Sequence, residues 1–211
     1  MKQLIIICAG GFGRELAAWA PQCIGYNVDW NLKGFIDSDI QRIKNNVCSI
    51  PIIDTIDDYL PNENDLFICA IGDINLKQKF IKSISEKGGE FMNLVHQSSI
   101  ISSQNVSFGK GCFIGPRCTI SCDVVIGDHV SLNCHVDIGH DVIISSFVHA
   151  NPFSFIGGYS KIGVCSVIHP HAIVLPSVKI SDNCVVGAGS TVFKNVNHGA
   201  TVYGSPAKEI F

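Results

Sequence analysis

The hydrophobic residues of this chain change their spacing near residue 95, and the second of the two patterns is the more regular. From about residue 106 to residue 192, a small or medium-sized residue recurs at every sixth position without a break. A larger aliphatic or aromatic residue follows two positions after almost every one of them, beginning with Phe108, Ile114 and Ile120. The small series is Val106, Cys112, Cys118, Val124, Val130, Val136, Val142, Val148, Ser154, Ser160, Ser166, Ala172, Val178, Cys184 and Ser190.

A period of six fits neither the 3.6-residue turn of an α-helix nor the simple alternation of a half-buried strand. It is typical of a hexapeptide-repeat β-helix, in which short strands stack coil upon coil. Three hexads close one triangular coil, so equivalent positions recur every 18 residues. We expect the large residue of each hexad to point into the coil, together with the small residue four places later. The pattern therefore predicts an all-β parallel β-helix in residues 96–211.

Residues 1–95 follow a different pattern. An apolar strand is predicted at residues 2–9, a glycine-rich turn at residues 10–13, and a helix from Arg14 onward. Two more buried strands are predicted at residues 33–37 and 66–71, and a second helix at residues 76–87. A strand, a glycine-rich turn and a helix in this order indicate a Rossmann-like α/β domain. We therefore expect two domains, 1–95 and 96–211.

The glycine-rich turn is a candidate nucleotide site. Glycines allow the backbone to approach a phosphate, and a helix N-terminus favours negative charge there. Asp37 ends the second predicted strand, near where such folds contact a ribose. Leu16 stands where the full dinucleotide fingerprint has its last glycine, so a mononucleotide or nucleotide sugar fits better than a dinucleotide. A tight turn with a purely structural role is the open alternative.

Composition excludes several classes of function. The chain has 211 residues, 46% of them hydrophobic and 16% charged, with a formal net charge of -3, which gives no reason to expect nucleic acid or an anionic membrane as a partner. The apolar run at residues 4–7 is too short to span a bilayer and lacks a signal-peptide cleavage pattern, so we expect a cytoplasmic protein. The ten cysteines form no C-x-x-C pair, and several occupy the small inward position of a hexad. We expect free structural thiols in a reducing compartment.

Histidines are the candidate catalytic residues of the repeat region. His140 lies two positions after an inward aliphatic residue, so it should project outward, and Asp141 follows it directly. A histidine is a suitable general base for an amine or hydroxyl attacking a thioester, and a carboxylate can fix its tautomer. One coil further on, Gly158 would allow a backbone N–H to approach a developing oxyanion. The alternative is that His140 is an ordinary solvated surface residue.

A zinc site is a different possibility for the same region. The γ-class carbonic anhydrases are also hexapeptide β-helices, and two of their zinc ligands are histidines five residues apart, as are His135 and His140. Their third ligand would fall at Ser99, which leaves fewer than the three protein ligands that a catalytic zinc needs. We therefore expect no metal.

Taken together, the motifs of the chain resemble those of the sugar acyltransferases typified by the sialic acid O-acetyltransferase and the bacillosamine-pathway N-acetyltransferase. The resemblance covers nearly the whole chain, and it is the order and spacing of individually loose motifs that make it specific. The matching segments are residues 9–13 (AGGFG), 34–37 (GFID), 70–73 (AIGD), 93–96 (NLVH), 139–141 (GHD), 148–149 (VH), 157–158 (GG) and 204–208 (GSPAK).

The resemblance implies a left-handed β-helix, a homotrimer and acetyl-CoA as co-substrate. His140 matches the catalytic base of the family, and Asp141 matches the acidic residue beside it. The coenzyme would be contacted by His149, by the Gly158 amide, and by the backbone around Pro170 and Ala188, in a groove between adjacent β-helices. The nucleotide part of the acceptor would be held by Gly11, Phe12, Gly13, Asp37, Ser38 and Gly72.

The sequence departs from the family pattern at two places. Ser145 and Ser146 replace the usual Gly-Asp or Gly-Glu, and residues 169–171 (HPH) replace a run of smaller residues near the expected coenzyme path. The second departure could alter the preference for the acyl chain.

The motifs and the resemblance are compatible with three alternative functions. The first is transfer of an acetyl group to the amino group of a nucleotide-linked amino-deoxy sugar, as in surface-glycan biosynthesis. The second is O-acetylation of sialic acid or another glycan hydroxyl, which one base could serve equally well. The third is a non-catalytic scaffold or nucleotide-sugar sensor.

Overall fold

The computed structural model describes residues 1–43 and 48–210. The chain divides into two compact units, Met1–Leu94 and Val95–Phe211. Across the described residues, no helix combines the length and the apolar character needed to cross a membrane.

The first unit is built on a five-stranded parallel sheet. Its strands are β1 (Lys2–Ile7), β2 (Trp30–Ile36), β3 (Ile52–Asp54), β4 (Asp65–Cys69) and β5 (Glu90–Phe91), in the spatial order β3-β2-β1-β4-β5. Helix α1 (Gly11–Trp19) follows β1, and helix α2 (Ile74–Glu86) follows β4; a short 3₁₀ helix occupies Ala20–Gln22. The chain thus moves outward from β1 in one direction and then returns to the other side of β1. The predicted strands and helices are all present.

The centre of this sheet is apolar because a parallel strand is buried on both of its faces. The residues at positions 4–7 of β1 are fully buried. Phe35 in β2 and Phe67 and Ile68 in β4 are buried as well. Helix α1 begins earlier than predicted, at Gly11 rather than Arg14, so the glycine-rich segment forms the first turn of the helix itself.

The second unit is a left-handed parallel β-helix, which confirms the prediction from the six-residue period. Its strands are two or three residues long and form three sheets, here called faces. The first face contains Ile100–Ile101, Thr119–Ile120, Asp137–Ile138, Phe155–Ile156, Ile173–Val174 and Thr191–Val192. The second contains Ser107–Phe108, Val125–Ile126, Ile143–Ile144, Lys161–Ile162 and Lys179–Ile180. The third contains Leu94–Val95, Phe113–Ile114, Ser131–Leu132, His149–Ala150, Val167–Ile168, Val185–Val186, Thr201–Tyr203 and the antiparallel Lys208–Glu209.

Three columns of turns, here called corners, join the faces. The His140 corner lies between the first and second faces, and the Ser146 corner lies between the second and third. The Pro170 corner leads from the third face back to the first. Strand residues pair with partners 18 positions away, as Ile138 does with Ile156, so side chains at each corner stack in columns with the same spacing.

Large aliphatic residues and small residues fill the interior as expected. Ile126, Ile144 and Ile162 are at most 2% exposed, and the small corner residues Val124 and Val142 are fully buried. Backbone N–H groups donate to carbonyls of the next coil, for example from Gly139 to Ile156 at 2.8 Å. The interior is therefore a dry apolar column enclosed by hydrogen-bonded coils.

Each corner contains a residue in the left-handed backbone conformation, and most of these residues are not glycine. From Arg117 to Asn183 one such residue recurs at every sixth position, with φ between 56° and 64°. Bulky side chains rarely adopt this conformation because the Cβ crowds the following carbonyl. The series includes His135, Asp141, Phe153 and His171. The hydrogen-bonded coils must therefore hold strained corners in place.

Two neighbouring residues of one strand test this description of the interior. Ile126 is 2% exposed and Val125 is 48% exposed. Replacing Ile126 by Ala should lower the free energy of unfolding by about 2–5 kcal/mol, because a buried aliphatic side chain is lost and a cavity remains. Replacing Val125 by Ala should change it by less than about 0.5 kcal/mol. Chemical denaturation of both variants measures the difference, and equal losses would contradict the assigned inward and outward positions.

Candidate functional site

His140 and Asp141 form a hydrogen-bonded pair on the surface of the β-helix. The distance from His140 Nδ1 to Asp141 Oδ2 is 2.8 Å. The two side chains are 51% and 40% exposed, so both are accessible to a ligand. Asp141 can accept from a protonated Nδ1, which leaves Nε2 unprotonated and able to accept a proton. The ring of Tyr159 contacts the imidazole edge-on, with ring centroids 4.9 Å apart.

Gly158 lies directly against the His140 ring. A Cβ added to Gly158 would lie 2.9 Å from both Cε1 and Nε2 of the imidazole, so any side chain here would displace the ring. Gly158 is itself buried. The structure therefore brings together three of the predicted site residues, His140, Asp141 and Gly158.

The backbone N–H groups of the β-helix corners are often satisfied by a side chain one coil further on. At the Ser146 corner, the Lys110 N–H donates to Asp128 Oδ1 at 2.8 Å, and the Asp128 N–H donates to Ser146 Oγ at 3.0 Å. Two coils later the Val164 N–H donates to Asp182 Oδ1 at 2.8 Å. The side chain 18 positions later thus decides whether a corner N–H has a partner.

At the His140 corner this partner is missing. The residue 18 positions after Gly158 is Pro176, whose side chain accepts no hydrogen bond. Within residues 1–43 and 48–210 the Gly158 N–H donates to no protein acceptor. An unpaired N–H in a buried residue is unfavourable unless something else accepts from it. Sequence reasoning had missed Pro176, although the 18-residue spacing places it in the column of His140 and Gly158.

His149, Pro170 and Ala188 lie elsewhere on the coil. His149 is in the third face, 8% exposed, with its Nε2 atom 2.8 Å from Asn133 Nδ2. Pro170 and Ala188 stand one above the other at the Pro170 corner, and the Gly189 N–H donates to the Pro170 carbonyl at 2.9 Å. Within one chain these residues and His140 belong to different sides of the triangular coil.

The predicted nucleotide residues meet at one edge of the parallel sheet. Residues 11–13 open helix α1 after β1, Asp37 and Ser38 follow β2, and Gly72 follows β4. The carboxyl ends of parallel strands share one edge, where α/β folds bind ligands. An added Cβ at Gly11 or Gly72 would meet nothing within 4 Å. Space for a ligand therefore exists on both sides of β1 at this edge.

The first turn of helix α1 is shaped by a close contact. A Cβ at Gly13 would collide with the carbonyl oxygen of Cys8, so only glycine fits there. Cys8 itself has φ of 80°, an unusual value for a cysteine, and lies in the turn after β1. Gly10 precedes the helix, and no side chain in the described part of the protein caps its N-terminus. A helix end without a side-chain cap is the kind of place where backbone N–H groups can bind an anion.

Asp37 is committed to contacts within the protein. Its Oδ2 accepts from the Ala9 N–H at 2.7 Å, and its Oδ1 accepts from the Asp39 N–H and from Arg42 Nε, both at 2.9 Å. Burial alone would raise the pKa of Asp37, but the Asp39 and Ala9 N–H groups and the Arg42 guanidinium hold it below its usual value. Ser38 Oγ lies 3.5 Å from the same carboxylate. Asp37 thus ties the glycine-rich turn to the segment after β2.

The cysteines behave as structural residues. All ten lie in the described part of the chain, and none of them forms a disulfide bond. Burial raises the pKa of Cys118 to about 12, and its thiol lies 2.9 Å from the Asn133 carbonyl oxygen. Among the residues that the structure describes, no three His, Cys, Asp or Glu side chains are grouped to hold a metal ion.

The sequence is similar to a known protein family and to a curated enzyme. Residues 3–84 match the family of PglD N-terminal domains. The chain is 30% identical over 139 residues to a GDP-perosamine N-acetyltransferase from Escherichia coli O157:H7, covering 66% of this chain. The aligned region is 54% of that enzyme, so the chain spans about half the length of the curated relative that it matches.

Solved structures share the fold over the whole chain. The acetyltransferase domain of PglB from Neisseria gonorrhoeae FA1090, in complex with acetyl coenzyme A, is 24% identical, covers 99% of both chains and gives a TM-score of 0.88. A histidine-to-asparagine mutant of perosamine N-acetyltransferase from Caulobacter crescentus, in complex with CoA and GDP-perosamine, is 24% identical. It covers 100% of this chain and 98% of its own, with a TM-score of 0.90. At this identity the two structures show that the fold is shared. Together with the family model and the curated relative, they confirm the resemblance stated from the sequence.

The internal contacts of Asp37 lead to a prediction about stability and pH. Replacing Asp37 by Asn should lower the free energy of unfolding by about 2 kcal/mol at neutral pH, because the charged acceptor of three hydrogen bonds is lost. The pKa of Asp37 is lower in the folded than in the unfolded protein, so its stabilisation is present above the unfolded pKa and fades as pH falls below about 4. The difference between wild type and variant should shrink over that range.

Denaturation at a series of pH values measures this effect. Asp57, which is exposed, provides the matched control as Asp57→Asn and should change stability little at any pH. A constant difference between wild type and Asp37→Asn from pH 7 to pH 3 would show that the carboxylate does not act through its charge.

Proposed function

We propose that this protein transfers an acetyl group from acetyl-CoA to the amino group of a nucleotide-linked 4-amino-deoxy sugar. The observation that carries the proposal is the His140–Asp141 pair at one corner of the β-helix. Beside it lies the Gly158 N–H, for which the described residues provide no acceptor. The same chain carries an α/β unit with a glycine-rich turn and an uncapped helix N-terminus. The relatives named above, which act on perosamine or were solved with acetyl-CoA or CoA, support this assignment.

The proposed reaction proceeds without an acyl-enzyme intermediate. The neutral amine of the sugar attacks the thioester carbonyl, and Nε2 of His140 takes the proton that the nitrogen loses. Asp141 stabilises the resulting imidazolium through Nδ1. The Gly158 N–H donates to the oxyanion of the tetrahedral intermediate. As the C–S bond breaks, the CoA thiolate takes the proton from His140, which restores the base.

In this proposal residues 1–95 form a Rossmann-like domain that holds the nucleotide sugar. The reversal of strand order between β1 and β4 supports this role, because such switch points are where α/β sheets bind ligands. The N-terminus of α1, with Gly11, Phe12 and Gly13, would face the phosphates, and Gly72 would border the nucleotide. Asp37 and Ser38 would shape the site, with Asp37 acting through the backbone that it orients.

In the same proposal residues 96–211 bind acetyl-CoA as part of a homotrimer in the cytoplasm. His140 and the trio His149, Pro170 and Ala188 occupy different sides of the coil, so a groove using all of them requires a second subunit. Phe155 and Ile173 support such an interface, because both are outward and more than one third exposed on the first face, which lies between the His140 and Pro170 corners. The coenzyme would lie between the His140 corner of one subunit and the Pro170 corner of the next.

Release of free thiol from acetyl-CoA tests the proposed reaction. The acceptors would be UDP-, dTDP- and GDP-linked 4-amino-4,6-dideoxy sugars, with sialic acid for comparison. We expect turnover with one amino sugar, and His140→Ala should reduce it at least about 100-fold, since the general base is lost. His198, which is exposed, provides the control as His198→Ala and should retain full activity.

Other results would redirect the assignment. Thiol release with sialic acid alone would favour O-acetylation, and near-normal activity of His140→Ala would remove His140 from its proposed role. Nucleotide-sugar binding without turnover against any acceptor would favour a scaffold or sensor.

The role of the Gly158 N–H can be tested without changing Gly158. Pro176→Asp would place a carboxylate where Asp128 and Asp182 stand at the Ser146 corner, and the new side chain should accept from the Gly158 N–H. Turnover should fall about 100-fold, because one oxyanion donor is occupied. The control is Pro116→Asp at the Pro170 corner, which should leave turnover unchanged. Full activity of Pro176→Asp would show that the Gly158 N–H contributes nothing to the reaction.

A further inference from the structure

Three aromatic rings form a stack along the Pro170 corner. His135 and Phe153 have ring centroids 4.6 Å apart with planes at 9°, and Phe153 and His171 have centroids 4.9 Å apart with planes at 1°. The three residues are 18 positions apart and share the left-handed backbone conformation, which points their side chains in the same direction. The spacing of the rings equals that of adjacent strands, about 4.8 Å.

The stack ends at an open position. The next residue in the column is Gly189, which keeps the left-handed conformation with φ of 67°. Its N–H donates to the Pro170 carbonyl at 2.9 Å, as the His171 N–H donates to the Pro152 carbonyl at 3.1 Å, so the register of the coil continues. A Cβ built on Gly189 would meet nothing within 4 Å. His171 is therefore the last ring of the column, and it is exposed. The position next to its ring face, where Gly189 has no side chain, is open.

A second exposed aromatic ring contacts the same corner at Gly187, two residues before Gly189. The ring of Tyr203 packs against Gly187, in the same coil as Gly189, and is 55% exposed. An exposed aromatic face is a binding place for other flat rings, which stack on it. Nucleobases bind in this way because each of them has a flat π-face. The position fits a planar heteroaromatic ring better than a sugar or a phosphate.

We propose that the adenine ring of coenzyme A stacks on His171 in the space left by Gly189, as the fourth member of the column. This inference rests on the proposed function, which places the coenzyme along Pro170 and Ala188, the residues directly before His171 and Gly189. It assigns to residues 169–171 a role in holding the nucleotide end of the coenzyme rather than in choosing the acyl chain.

Binding measurements on the full-length protein test the proposal independently of turnover. The probes are CoA and 4′-phosphopantetheine, which lacks the adenine together with the rest of the 3′-phospho-AMP portion. Isothermal calorimetry gives the Kd of each. His171→Ala should weaken CoA binding about 5- to 100-fold, the range expected for loss of one base stack, and leave 4′-phosphopantetheine binding unchanged. His171→Phe keeps a flat ring and should bind CoA within about threefold of the wild type.

Filling the open position provides a second variant. Gly189→Phe should extend the column with a protein ring and weaken CoA binding selectively; the backbone conformation is one that Phe153 already adopts. The matched control is Asn183→Phe, at a left-handed position of the Ser146 corner with φ of 58°. It should bind CoA normally.

Each outcome has a definite meaning. Equal loss of CoA and 4′-phosphopantetheine binding in His171→Ala, or no loss of either with only a lower melting temperature, would overturn the adenine site. The stack would then serve to stabilise the coils. Selective loss of CoA binding in a protein that transfers no acetyl group would support the adenine site and count against the proposed function. Failure of the wild type to bind CoA would overturn both.

Discussion

The structure of the second unit depends on one constraint, the register of hydrogen bonds between successive coils. Because each strand pairs with the strand 18 residues later, every side chain has a fixed neighbour above and below. The apolar residues meet in the interior, and the corner residues stack in columns outside. The same bonds hold a left-handed residue at every corner, which an isolated turn would rarely adopt. The periodic backbone therefore supplies both the stability and the positions of the chemical groups.

Within so regular a framework, the candidate sites lie where a column lacks the kind of side chain that stands elsewhere at the corners. At the Ser146 corner, Asp128 and Asp182 satisfy the N–H groups of the preceding coil. At the His140 corner the same step leads from Gly158 to Pro176. Among the described residues, nothing then accepts from the Gly158 N–H beside the imidazole. At the Pro170 corner a column of rings stops at Gly189 and leaves a ring face uncovered. In each case the rest of the column stays in register, so the change is confined to one position.

Much of this could be predicted from the sequence because the repeat is local. The six-residue period gave the strands and the inward residues, and the adjacency of His140 and Asp141 predicted their pairing. The long-range contacts of the first unit could not be predicted in the same way. The hydrogen bond from Ala9 to Asp37 joins residues 28 positions apart and depends on how β1 and β2 align. Nothing in the local sequence shows that the Asp37 carboxylate is already occupied. The position of Pro176 could have been predicted, because it lies 18 residues after Gly158 in the same column.

Asp37 also illustrates why residue type alone is a weak guide to a residue's role. An acidic residue at the end of the second strand is where a ribose contact is expected, yet its two oxygens accept from Ala9, Asp39 and Arg42. A carboxylate held by three donors and buried to 1% exposure has little capacity left for a ligand. In the proposed nucleotide site its effect would therefore be indirect, through Ala9 and the glycine-rich turn that follows. Under that proposal the N–H groups of the turn, rather than the carboxylate, are the groups that a phosphate would meet.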